Sequence, residues 1–218
     1  MTHLAREIEN LKRKLLTLGS IVEENLFKAT KALVERNEVL ATEVVQSDQE
    51  IDDLEVEVEE DCLKALALHQ PVAIDLRYIV AVLKINNDLE RIGDLAVNIG
   101  RRARKLTRLC PPESIGINLT EMANRVRIML HDSLEAMISL DAEQARSVCA
   151  ADDAIDQMNR SYHRLVIEQI KQHPEHAEEY ILFLNTSRHL ERIADHATNI
   201  AEDVIYLTEG EIVRHQLS

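Results

Sequence analysis

The sequence predicts an all-α protein: two tandem three-helix bundles, six long helices generated by an internal repeat. Three observations carry that expectation. Five glycines and four prolines in 218 residues are about a third of ordinary usage, too few for the tight turns of sandwiches, barrels or doubly wound sheets. Apolar residues recur at helical spacing along almost the whole chain. The pattern then restarts after one linker, with the same residue types in the same order.

The first helix is marked by Leu4, Ile8, Leu11, Leu15, Leu18, Val22 and Leu26, one stripe on one face. Asn37 breaks it, and a second helix begins just after and continues to about Leu68. The His69-Gln70-Pro71 turn places Pro71 to open a third helix from about Val72 to Leu106. Cys110-Pro111-Pro112 stops that helix. The boundaries read from the chain are a first repeat over 1–109, a linker over 110–116, a second repeat over 117–208 and a frayed tail over 209–218.

The second half copies the first. Leu15, Leu18, Val22 and Leu26 recur as Leu119, Met122, Val126 and Leu130, and Asn37 recurs as Asp141. Asp48-x-x-Ile51-Asp52 recurs as Asp152-x-x-Ile155-Asp156. After the His173-Pro174 turn, the run Leu89 to Ile99 matches Leu190 to Ile200 except at Gly93/Ala194, Leu95/His196 and Val97/Thr198. Short connections make each unit an antiparallel bundle.

Composition narrows function. Hydrophobic residues at 45% and charged residues at 29% exclude disorder. A net charge of −14 repels nucleic acid and anionic lipid. Three scattered cysteines form neither a disulfide framework nor a thiol metal site. The charged N-terminal segment has no apolar stretch like a signal sequence, and the longest uncharged run, 65–74, is about half a membrane span. A soluble, cytoplasmic protein is expected, meeting membranes only through partners and binding no nucleic acid. The one basic cluster, Arg101-Arg102-x-Arg104-Lys105 with Arg108, reads as cations complementing a helix C-terminus.

The chemistry concentrates on carboxylates. Glu90 and Asp94 lie one turn apart, with Asn98 a turn further, in a sector where Leu76, Val80 and Leu83 form an apolar stripe. Glu191, Asp195 and Asn199 repeat this after Ile181 and Leu184. The second helices carry their own ridges, Asp48, Asp52, Glu55 and Glu59, and Asp152, Asp156, Asn159 and His163. If second and third helices pack together, two acidic ridges face each other and require protons or cations. Oxygen-only ligands suit magnesium, manganese or an oxo-bridged iron cluster. The plainer reading is a solvated acidic face; Arg91 and Arg192 either pair with carboxylates inside the bundle or lie on the surface, and structural pairing is expected. His189 and His196 lie beside the second motif within reach of a metal there, but a helix-surface role is the plainer reading. No nucleophile elbow, phosphate loop or Glu-x-x-His pair is present, so the chain reads as a docking module and not an enzyme.

The paired Leu-Glu-Arg-Ile-x-Asp-x-x-x-Asn-Ile segments, the Asp-x-x-Ile-Asp segments and the His-Gln-Pro turn resemble the PhoU family, accessory regulators of phosphate-specific transport. The resemblance covers nearly the whole chain. It implies multinuclear metal clusters at Asp48, Asp52, Glu90, Asp94 and Asn98, and at Asp152, Asp156, Glu191, Asp195 and Asn199; iron, zinc, manganese and magnesium are the candidate ions. It further implies a homodimeric, cytoplasmic negative regulator of phosphate uptake and starvation signalling. Such a regulator joins the ATPase subunit of the phosphate ABC transporter to a sensor histidine kinase. The family often has His after the motif's Asp, as at His196; this chain has Leu95 in the first repeat. The residues alone leave two alternatives: an inert helical adaptor with structural ion pairs, or a carboxylate-bridged metalloenzyme.

Overall fold

Helix-capping residues set the frame of each repeat. Asn37 and Asp141 are both N-caps, their side chains accepting from the amides of Val39 and Leu40, and of Glu143 and Gln144. The preceding helix ends identically in both repeats. Arg36 and Leu140 adopt left-handed φ of 51° and 55°, and the next amide reaches back to Ala32 and Ala136, at 2.9 and 3.0 Å. A computed structural model describes residues 3–109 and 117–210. The predicted linker, 110–116, and the tail beyond Gly210 lie outside the described residues.

The helices are α1 (His3–Glu35), α2 (Glu38–Gln46), α3 (Asp48–His69), α4 (Ala73–Leu106), α5 (Leu119–Ser139), α6 (Ala142–Gln172) and α7 (Ala177–Glu209), with a 3-10 turn, Pro174–His176, before α7. The predicted continuous second helix of the first repeat is broken at Ser47. Its hydroxyl donates to the Val44 carbonyl at 2.9 Å and competes with the helix ladder, so α2 and α3 are two arms of one bent helix. Counting them as one gives six. Pro71 does not open α4; it precedes the cap residue Val72. At the other end α7 extends to Glu209, which pairs with Arg146, and Gly210 caps it at φ 75°.

Bundle one is α1, α2–α3 and α4; bundle two is α5, α6 and α7. They meet through α4 against α7 and α1 against α5. Third helix thus meets third helix, and first meets first, an arrangement with internal pseudo-two-fold character. The predicted α1 stripe from Leu11 to Leu26 is buried, as are its α5 counterparts, and both feed one continuous core. Each such leucine contributes about 1.5–3 kcal/mol on burial.

Two features dock the second helix onto the third in each repeat. Asn86, on α4 and buried, donates to the Glu55 carbonyl on α3 at 2.9 Å. At the equivalent place Ser187, on α7, donates to Asn159 on α6 at 2.8 Å. Small residues allow the approach: a Cβ on Gly93 would stand 3.0 Å from Ile51 Cδ1. Their counterparts Ala194 and Ile155 are equally buried. Gly93→Leu therefore wedges α3 from α4 and should cost about 1–3 kcal/mol by overpacking, measured by urea unfolding. Gly93→Ala, needing only a few tenths of an ångström from Ile51, should stay close to wild type.

Candidate metal centre

In the second repeat the α6 and α7 ridges face each other. Burial, and then the carboxylates of Asp195, Asp156 and Asp153, push the Asp152 carboxyl up to about 6. Burial and then Asp156 raise Asp195, and burial followed by Asp195 and Asp156 raises Glu191. These groups come from two helices held together by apolar packing, so their repulsion is imposed by the core behind them.

The first repeat has the same arrangement in weaker form. Burial and then Asp52 and Asp94 raise Asp48, and burial raises Glu90, to which Asp94, Glu55 and Asp52 add. Arginines offset part of this. Arg91, exposed on the surface and not inside the bundle, lies 3.3 Å from Glu90 and 3.7 Å from Asp94. Arg101 lies 3.7 Å from Asp48. In the second repeat Arg160 holds Asp156 at 2.7 Å. Among the described residues, no three acidic, thiol or imidazole groups converge as a finished ligand set.

Comparison with known proteins decides the family. The PhoU domain model matches residues 15–103 and again 119–204, the two repeats derived above. The chain belongs to the PhoU family. It is 40% identical over 213 residues, 98% of this chain and 96% of the other, to the Aquifex aeolicus protein named phosphate-specific transport system accessory protein PhoU homolog. The crystal structure of PhoU from Pseudomonas aeruginosa superposes with a TM-score of 0.93 at 33% identity, covering 96% of this chain and all of that one. The phosphate transport system regulatory protein PhoU from Streptococcus pneumoniae gives 0.84 at 30% identity, over 97% of this chain and 99% of that one.

Within this PhoU fold, eight of the ten sequence-derived residues lie on the facing ridges: Asp48, Asp52, Glu90 and Asp94, and Asp152, Asp156, Glu191 and Asp195. The two asparagines are engaged elsewhere. Asn98 accepts from Arg101 at 3.3 Å and lines a basic cavity. Asn199 donates to Asp88 on α4 at 3.4 Å. The histidines are not helix-surface residues either. His196 meets Asp88 at 2.8 Å across the α4–α7 contact. His189 is half-buried with both ring nitrogens lacking hydrogen-bond partners, and burial, then Arg102, Arg192 and Arg188, hold its pKa down near 4.

Asp88 and Asp203 were missed by sequence reasoning. Both are buried in the inter-repeat contact, Asp203 at 1% exposure and 2.9 Å from Lys84. The only sequence signal was their place beside the repeated motif, Asp88 just before Leu89 and Asp203 three residues after Ile200, on a face that becomes interior once α4 meets α7.

The raised Asp152 has a pH signature. Its native form binds a proton more readily than the unfolded chain, so this group's penalty is full above its folded pKa and disappears as pH falls below the ordinary carboxylate value. Metal-free Asp152→Asn should therefore be more stable than wild type near neutral pH. The difference should shrink as pH falls through about 6 and vanish in strong acid. Paired thermal melts across that range measure it.

Proposed function

We propose that this chain is an accessory regulator of phosphate-specific transport: a metal-binding adaptor, not an enzyme, that restrains phosphate uptake and starvation signalling. The observation that carries the reading is family membership across both repeats, with relatives named as accessory proteins of that transport system. The partners that fit are the ATPase subunit of the phosphate ABC transporter and a sensor histidine kinase, with a second copy of this chain as a homodimer partner. Among the described residues no helix is long and apolar enough to cross a membrane; peripheral association through those partners in the cytoplasm is the reading proposed.

The donor chemistry supports the metal-binding half. Asp152, Asp156, Glu191 and Asp195 would hold a hard cation, as would Asp48, Asp52, Glu90 and Asp94; iron, manganese, magnesium and zinc are all admitted by oxygen ligands. When bound, the ion supplies positive charge that cancels the repulsion between ridges. The chain's own contribution is to keep the carboxylates half-desolvated and close, and to release Arg160, Arg91 and Arg101 from them. The docking role is supported by Leu68, Val72 and Ile74, strongly exposed around the α3–α4 turn.

A second reading has its own support. The ion pairs of Arg91, Arg101 and Arg160 are what an inert helical adaptor would use in place of metal. Metal analysis by mass spectrometry on protein purified without added metal separates the two. Glu191→Ala plus Asp195→Ala should lose bound metal and copurify less of the ATPase subunit. Unchanged metal content would dismiss the site, and lost metal with unchanged copurification would favour the inert adaptor.

A further inference from the structure

The two ends of the α4–α7 contact are related by the internal repeat but opposite in charge. At one end Lys84 meets Asp203 at 2.9 Å and stands 5.4 Å from the Tyr206 ring, while Glu209 pairs with Arg146. At the other end the equivalents of Lys84, Asp203, Tyr206 and Glu209 are Asn185, Arg102, Lys105 and Arg108. The cation that answers Asp203 at the first end has no anionic counterpart here. Instead Asn185, Arg102, Lys105 and Arg108, with Arg101, Arg104 and Asn98, line a cavity of about 560 Å³, within the usual size range of small-molecule sites.

The charges around this cavity are unevenly answered. Arg101 and Arg108 lie 3.7 and 3.6 Å from Asp48 and Glu38. Among the described residues Arg102 donates only to the Asn98 carbonyl, at 2.9 Å. It is desolvated enough to lower its pKa, with no carboxylate opposing the shift. Arg104 has a buried Nε without a partner. Among the described residues neither Arg104 nor Lys105 has an acidic partner. Their side chains are not required as caps for α4, because its last four carbonyls, Ala103 to Leu106, already accept from the amides of Thr107, Arg108 and Leu109, the Thr107 hydroxyl and Arg36. In a chain of net charge −14, such concentrated positive charge on one cavity wall calls for an external anion.

We propose that this cavity binds a small, multiply charged phosphate-type anion, held by Arg102, Arg104 and Lys105 with the amides of Asn98 and Asn185. The site adjoins the first carboxylate ridge through Arg101, which lies 3.7 Å from Asp48, and does not rest on metal binding. Guanidinium forks suit tetrahedral oxyanions bidentately, and asparagine amides add neutral donors. Anion binding here stiffens the α4–α7 contact in the way that the Lys84–Asp203 pair does at the opposite end.

The test titrates the full chain with inorganic phosphate and with pyrophosphate by calorimetry, in chloride buffer. A parallel arm sediments it with vesicles of phosphatidylcholine alone or of equimolar phosphatidylcholine and phosphatidic acid. Wild type should show saturable binding in at least one arm. Binding to soluble anion identifies a free phosphate compound as the source; binding to acidic vesicles alone identifies a lipid headgroup. Arg102→Ala plus Lys105→Ala should weaken it by about tenfold or more. Asn185→Asp, which places a carboxylate opposite Arg102 as Asp203 stands opposite Lys84, should do the same while keeping or raising the melting temperature. Absence of saturable binding in both arms overturns the proposal. So does binding left unchanged by Asn185→Asp in a protein that melts normally.

Discussion

The close approach of the second helix to the third, in each repeat, is the constraint from which the rest follows. Ile51 lies against Gly93, and the buried Asn86–Glu55 and Ser187–Asn159 bonds lock each pair of helices in register. Apolar burial drives this contact. The carboxylates flanking it have no freedom to separate without breaking the core behind them. Their desolvation and mutual repulsion, clearest at Asp152, are a cost that folding imposes on the surface. That electrostatic penalty, built into a rigid framework, is what the proposed cation binding would relieve.

The inter-repeat contact organises the molecule at a larger scale. Because α4 and α7 each touch their own bundle and each other, the duplicated units behave as a pseudo-symmetric pair whose sequences have diverged at the contact. Asp88 meets His196, but the equivalents, His189 and Leu95, form no such pair. Lys84 meets Asp203, but among the described residues Asn185 leaves Arg102 without an acid. The asymmetry lies in the polar residues and leaves the apolar core intact. One framework thereby carries two acidic grooves of unequal arginine compensation and, at one end of the α4–α7 contact, a basic cavity.

Much of this was legible in the sequence, for local reasons. Asn37 and Asp141 announce helix breaks because their side chains cap the next helix, a device that acts over three residues. The acidic ridges are legible because helical periodicity places Glu90 with Asp94, and Asp152 with Asp156, on one face. The kink at Ser47 is not, since the run around it keeps its helical period and serine also occurs inside straight helices. Asp88, Asp203 and the fates of Asn98, Asn199, His189 and His196 depend on which face of α4 meets α7. Periodicity reports that a face is buried but not its partner. For the same reason the basic cluster reads as a helix terminus until Asn185, distant in sequence, is brought beside it.

The central claim is that the packed core forces carboxylates from two helices into one cation-binding groove. Anomalous diffraction from crystals soaked in manganese tests it most directly. The account predicts an anomalous peak between α6 and α7, bounded by Asp152, Asp156, Glu191 and Asp195, with Arg160 withdrawn from Asp156. Manganese density only at sites remote from both ridges, with the arginine ion pairs intact, would contradict it.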